Sequence, residues 1–277
     1  MKEKLLNATK IILDHPISAL PDEVLLLESE IKSKFPNSVQ VTQIIESNSA
    51  LATDVLRLVN SPIIKPRTPV KSIREAVNVL GLDNIYNIVV SSALRKLFGT
   101  KGVYREMMKH SVSVAFCMAE LAEKGGLVTR DEAFLLGLFH NVGALVLANQ
   151  DKAVYEPLFK NSMSLPLSII AKEDEVYHTD HALIGVVIAK RWHLPTDLLN
   201  AIMFHHIEAC ESIHNDRVRT FVAMIKVANG LVAEHLLGSY RGSQMRDYEL
   251  DGLQQLNLSE KALKQIRSAV MSFSFNG

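Results

Sequence analysis

Cysteine is nearly missing from this 277-residue chain: Cys117 and Cys210 are the only two, and they lie far apart. No disulfide framework can be built from them, and both read as small core residues of a protein in a reducing compartment, the cytoplasm. Net charge is missing too, with 30 basic residues against 30 acidic ones. That balance excludes the broad field that would favour nucleic acid or an anionic membrane, so a partner must be recognised locally. Aromatic residues make up only 6% of the chain and do not alternate with basic ones. Lys65, Arg67, Lys71 and Arg74 therefore make a poor nucleic-acid surface, and the first three read as charges on a solvated loop. Also absent are a glycine-rich phosphate loop, a G-x-S-x-G elbow, a CxxC pair, a fixed-period repeat and any low-complexity segment.

Strand-like alternation is not sustained anywhere, whereas apolar spacing of three and four residues recurs through most of the chain, which predicts an all-α protein. With 48% hydrophobic residues the chain can bury a large core, and its length allows two lobes. The N-terminus, MKEKLLNATKIILDHP, reads as a first helix over residues 3–14 and not as a signal peptide. Further helices are expected from Pro21, over 38–46, over 50–59, from the capping box Ser72-Ile73-Arg74-Glu75 to Gly81, and over 83–97. Gly99 to Gly102 marks a lobe boundary. The resulting division is an N-terminal helical lobe over 1–99, a second helical lobe over 103–238 and a C-terminal helical extension over 239–277, with one amphipathic helix after Ser259-Glu260.

The stretch Ala133 to Gln150 has eighteen residues without a charge and carries His140-Asn141 in its middle. Its length raises the question of a membrane span, but the internal polar pair, two glycines and the Asn149-Gln150 end predict one buried core helix and no membrane. The same inward polarity recurs. His110 shares a helical stripe with Val114, Cys117 and Leu121, and His140 shares one with Leu136 and Gly137. His181 falls with Ile184, Gly185, Ile188 and Trp192, and His205 falls with Leu198, Ala201 and Ile202. Asn229 aligns with Val222, Ile225, Val232 and Ala233. A single histidine on an apolar face is ordinarily a core residue with a satisfied hydrogen bond. Five polar residues on five such faces favour a shared pocket, because buried imidazoles need partners. His206 points about 100° from His205 on an ideal helix, so the two cannot share a stripe, although two faces of a pocket could use both.

These residues resemble the HDOD domain, a bacterial relative of the HD-type metal-dependent phosphohydrolases, from about Leu20 to Leu237. The resemblance rests on Leu56-Arg57-Leu58-Val59-Asn60-Ser61, Ser72-Ile73 and Leu80-Gly81 in the first lobe. In the second lobe it rests on His110, Gly137-Leu138-Phe139-His140-Asn141-Val142-Gly143, His181-Ala182-Leu183-Ile184-Gly185, Trp192-His193-Leu194-Pro195 and His205-His206. It implies an HD-like helical bundle core and a signalling or regulatory context. It also maps the metal ligands of active HD enzymes onto His110, His140-Asn141 and Asn229, with His181, His205 and His206 matching extra ligands of the branch that hydrolyses cyclic dinucleotides. The signature aspartates are here Asn141 and Asn229, and a lysine of that branch is Ala144. Neutral amides leave a divalent cation uncompensated, so loss of the ion would also remove the metal-bound nucleophile.

The expectation is a non-catalytic regulatory module that binds a signalling protein or small ligand, with homo-oligomerisation left open. Its degenerate pocket would carry no cofactor; zinc, nickel or iron in the histidines is the alternative. The alternative function is a divergent phosphohydrolase acting on phosphate esters or cyclic dinucleotides, with Glu173, Asp174 or Asp180 in place of the missing carboxylates.

Overall fold

A computed structural model describes residues 2–14, 21–60, 66, 68–98, 101–237 and 242–273, and no strand occurs among them. The chain divides into two compact units, one comprising Met1–Ile17 with Lys101–Gly277 and the other Ser18–Thr100. Helix α1 (Lys2–Asp14) thus joins the larger unit, whereas the sequence placed it with the first lobe. Its buried face, Ala8, Ile11 and Ile12, accounts for this, along with a hydrogen bond from Asn7 Nδ2 to the His178 carbonyl (3.1 Å) and a Lys4–Asp174 ion pair (2.9 Å). The expected lobe boundary begins at Gly99, which with Thr100 lies outside the described residues, as does Tyr240 at the start of the C-terminal segment.

The smaller unit consists of α2 (Asp22–Ile31), α3 (Ser38–Glu46), α4 (Ser49–Val59), α5 (Ile73–Leu80) and α6 (Leu82–Phe98). Side chains of Asn37, Asn48 and Ser72 accept backbone N–H groups at the starts of α3, α4 and α5, satisfying donors that a helix cannot satisfy itself. Asn60 closes the loop after α4: it accepts the Val70 N–H and donates to the Val70 carbonyl, both at 2.8 Å.

The larger unit is organised around α7 (Val103–Gly125), which is buried along most of its length. It packs on α8 (Arg130–Phe139) so closely that a Cβ on Gly137 would lie 2.4 Å from the Ala115 Cα. The expected single helix from Ala133 to Gln150 is in fact two, because α9 (Val142–Gln150) begins after a turn at His140-Asn141. The stretch is mostly buried within the protein. After α10 (Lys152–Ser162) and α11 (Ile169–Tyr177) comes α12 (His181–Arg191), which lies against α9. Gly143 permits that approach: a Cβ there would sit 2.0 Å from the His181 carbonyl oxygen.

Helices α13 (Thr196–Phe204) and α14 (Asp216–Leu237) complete the core, followed by α15 (Ser243–Gln255) and α16 (Glu260–Ser272). The C-terminal region therefore holds two helices where the sequence predicts one. Helix α15 escapes notice because its sequence, SQMRDYELDGLQQ, is largely polar. It nevertheless buries Met245 and Tyr248 and packs along α14, where Lys226, fully buried, pairs with Asp251 at 2.6 Å.

Candidate metal centre

The turn between α8 and α9 presents His140 and Asn141 from a break in the helix. Asn141 occupies the N-cap position of α9, yet its side chain makes no cap hydrogen bond. It faces instead a small cavity lined also by His110, His181, His205, His206 and Asn229, with Ala144, Tyr155, Met163 and Met245 around them. Space for the centre of a water-sized sphere amounts to about 20 Å³, enough for a single ion or a water. His140 is fully buried beside this group, its ring 5.7 Å from that of His110 and 5.5 Å from that of His205.

His181 is the first residue of α12, and His205 follows the last turn of α13. Because the chain leaves the helix there, the 100° separation of successive helical residues no longer applies, and the rings of His205 and His206 approach to 4.0 Å. The Nε2 of His181 stands 3.2 Å from Nε2 of His205 and 3.1 Å from Nε2 of His206. The sequence therefore identifies a set of residues that the fold brings together, and it misses what holds them.

The second ring nitrogen fixes the chemistry of His205, His140 and His181. His205 Nδ1 lies 2.6 Å from the Ile202 carbonyl and His140 Nδ1 lies 2.7 Å from the Gly137 carbonyl. A carbonyl only accepts, so each Nδ1 carries the proton and each neutral ring leaves Nε2 as a bare lone pair. Glu173 plays the equivalent part for His181: its carboxylate oxygens are 2.7 and 2.9 Å from Nδ1. Two bare Nε2 lone pairs at about 3.2 Å repel unless something positive lies between them. A proton on His181 or a cation satisfies that requirement. Ligand nitrogens around a tetrahedral zinc with bonds of about 2.0–2.1 Å would be about 3.3–3.4 Å apart, close to the spacing seen.

Charge in the cluster is set by burial. Burial pushes His110 down to about 4, with a hydrogen bond to Asn229 opposing the shift. Burial, then neighbouring imidazoles, lowers His140, His205 and His206 well below the ordinary histidine value. For His181 burial acts in the same direction, but the charge and hydrogen bond of Glu173 outweigh it and raise the ring above that value. Among the described residues, no hydrogen-bond partner reaches the buried His140 Nε2, His110 Nδ1 or His206 Nδ1 atoms.

The acids proposed as substitute ligands do not face the cavity. Asp174 pairs with Lys4, and Asp180 caps α12 by accepting the Leu183 N–H at 2.9 Å. Glu173 stands behind His181, where it also accepts the His181 backbone N–H (2.9 Å) and the Tyr155 hydroxyl (2.5 Å). Tyr248 of α15 donates its hydroxyl to the His205 carbonyl, securing the turn that carries both histidines. Neither tyrosine carries any signal in the sequence, since each reads as one more apolar position. Of the four basic residues, Lys65 and Arg67 lie outside the described residues, while Lys71, before α5, and Arg74, within it, are exposed.

Imidazole nitrogens on this spacing fit a zinc, nickel or iron ion, and a cavity wall with no carboxylate among the described residues does not fit magnesium, which prefers carboxylate and water oxygens.

Comparison with known proteins agrees with the architecture. The chain is 27% identical over 192 residues to an uncharacterized protein of Treponema pallidum (strain Nichols), covering 69% of this chain and 37% of that relative. It spans about half or less of the length of the curated relatives it matches. A "Putative phosphohydrolase" from Shewanella amazonensis SB2B superposes with a TM-score of 0.73 at 20% identity, over 96% of both chains. A "Putative signal transduction protein" from Marinobacter aquaeolei VT8 gives 0.71 at 18% identity, over 98% of this chain and 64% of the other. At such identities these likenesses establish the helical fold alone. Residues 17–208 match the model of the HDOD domain, well over half of the sequence, and the chain belongs to that family.

Proposed function

We propose that the chain is a non-catalytic regulatory module of bacterial signalling, acting in the cytoplasm, which binds a protein partner or small ligand and keeps its histidine pocket as a binding site for one zinc-class ion. The observation that carries this reading is the cavity itself: among the described residues its wall presents imidazoles and two amides, Asn141 and Asn229, but no carboxylate, and it has room for one ion or water. Hydrolysis of a phosphodiester needs space for the phosphate and a strongly charged metal site that lowers the pKa of bound water. His181, His205 and His206 would hold the ion, and its coordination would tie the start of α12 to the end of α13.

A divergent phosphohydrolase is the second reading, favoured by the unpartnered His140 Nε2 and His110 Nδ1, which could face a further ion. The experiment that separates the two incubates zinc-, nickel- or iron-loaded full chain with bis(p-nitrophenyl) phosphate and with cyclic dinucleotides. The regulatory reading predicts no turnover above that of the free ion. Metal-dependent turnover that disappears in His181→Ala would establish the hydrolase instead.

A further inference from the structure

Glu173 is fully buried, and the ion-pair partner the structure gives it is His181. A carboxylate at that depth is costly unless a positive charge or several donors face it. Here the donors are all tied to the histidine pocket: the His181 ring and backbone N–H, and the Tyr155 hydroxyl, itself buried. Three donors meet two oxygens, an arrangement that an amide could not satisfy, because it offers one oxygen and would turn an NH₂ towards one of the donors. The carboxylate therefore selects one ring state for His181, with the proton on Nδ1 and Nε2 turned towards His205 and His206.

We infer that Glu173 is the positioning residue of the metal pocket, holding a proton on His181 Nδ1 and supplying, from behind the ring, the negative charge that Asn141 and Asn229 cannot supply from in front. This rests on the reading of the pocket as an ion site. Carboxylates behind metal-bound histidines raise ligand basicity and orient the ring, and losing one typically weakens the metal site 10–100-fold. Tyr155 takes the next place outward, fixing one carboxylate oxygen while contributing no charge.

The test uses the full chain in three forms: wild type, Glu173→Gln and Tyr155→Phe. Zinc affinity is measured by competition with a chromophoric chelator, and nitrogen-15 NMR of the metal-free proteins reports which His181 ring nitrogens carry a proton. Expected results are one zinc per wild-type chain, binding about 10–100-fold weaker in Glu173→Gln, and a smaller loss in Tyr155→Phe. His181 Nδ1 is expected to carry a proton in metal-free wild type and Tyr155→Phe, beside the one that Nε2 holds towards His205, and to lose it in Glu173→Gln, where the remaining proton stays on Nε2. A purely structural Glu173 would leave that protonation unmoved. Should Glu173→Gln not fold, Tyr155→Phe binding zinc as tightly as wild type would overturn the inference. Equal zinc affinity in wild type and a folded Glu173→Gln would overturn it while leaving the ion site standing. No zinc bound by wild type would overturn both.

Discussion

Asn141 and Asn229 line the same cavity as four of the histidines, so the effect of restoring carboxylates there can be stated from geometry. A carboxylate is a strong oxygen ligand and brings the charge that an amide lacks. The double substitution Asn141→Asp, Asn229→Asp should tighten divalent-metal binding at least about tenfold, roughly 1.4 kcal/mol, as read by calorimetric titration. Unchanged affinity would mean that neither side chain faces the ion. Protonation is the second effect at this scale. His110 titrates near 4 in the folded protein against 6.5 ordinarily, so between those values the unfolded chain takes up a proton that the folded chain refuses. Stability contributed by His110 is therefore present above pH 6.5 and falls as pH drops towards 4, by about 3 kcal/mol in total. His140, His205 and His206 act in the same direction, and His181, raised by Glu173, acts in the opposite one. Urea midpoints of metal-free protein should fall between pH 7 and pH 5; a flat profile would contradict neutral burial of the cluster.

At the level of helices, the close contact between α9 and α12 is what sets His181 beside the α8–α9 turn. A Cβ at position 143 would meet the carbonyl oxygen of His181 itself at 2.0 Å and the Gly185 nitrogen at 2.8 Å. Backbone atoms cannot rotate away as a flexible side chain can, so Gly143→Ala should cost about 1–3 kcal/mol and weaken zinc binding by displacing His181. Gly126→Ala offers the contrast: its φ is 63°, with nothing within 4 Å, so it should lose stability through backbone strain while leaving zinc affinity unchanged. Thermal melts and chelator competition on both variants separate the two effects.

The helices and their inward stripes are legible in the sequence because burial imposes a period of 3.6 that His110, Val114, Cys117 and Leu121 obey plainly. Two features are not legible, for physical reasons. The break at His140-Asn141 occurs inside an uninterrupted apolar run, where periodicity cannot tell one long buried helix from two. Helix α15 is polar apart from a narrow face, so its burial of Tyr248 depends on α14 being present to receive it.

For the whole molecule, the histidine pocket draws on six helices or their ends, from His110 in α7 to Asn229 in α14, with Tyr248 of α15 bracing the turn at His205. Residues so distant in sequence are named by their chemistry, but their convergence belongs to the tertiary fold. That is why the five histidines could be picked out from sequence while the role of Glu173 could not. Within the pocket the imidazole nitrogens of His181, His205 and His206 are mutually oriented, and the Glu173 carboxylate stands behind the His181 ring. X-ray absorption at the zinc edge of the zinc-loaded full chain examines this arrangement most directly. One tightly held zinc per chain is expected, with histidine nitrogens at about 2.0–2.1 Å that are lost in His206→Ala. A shell made of oxygen alone, or zinc that washes away on desalting, would contradict it.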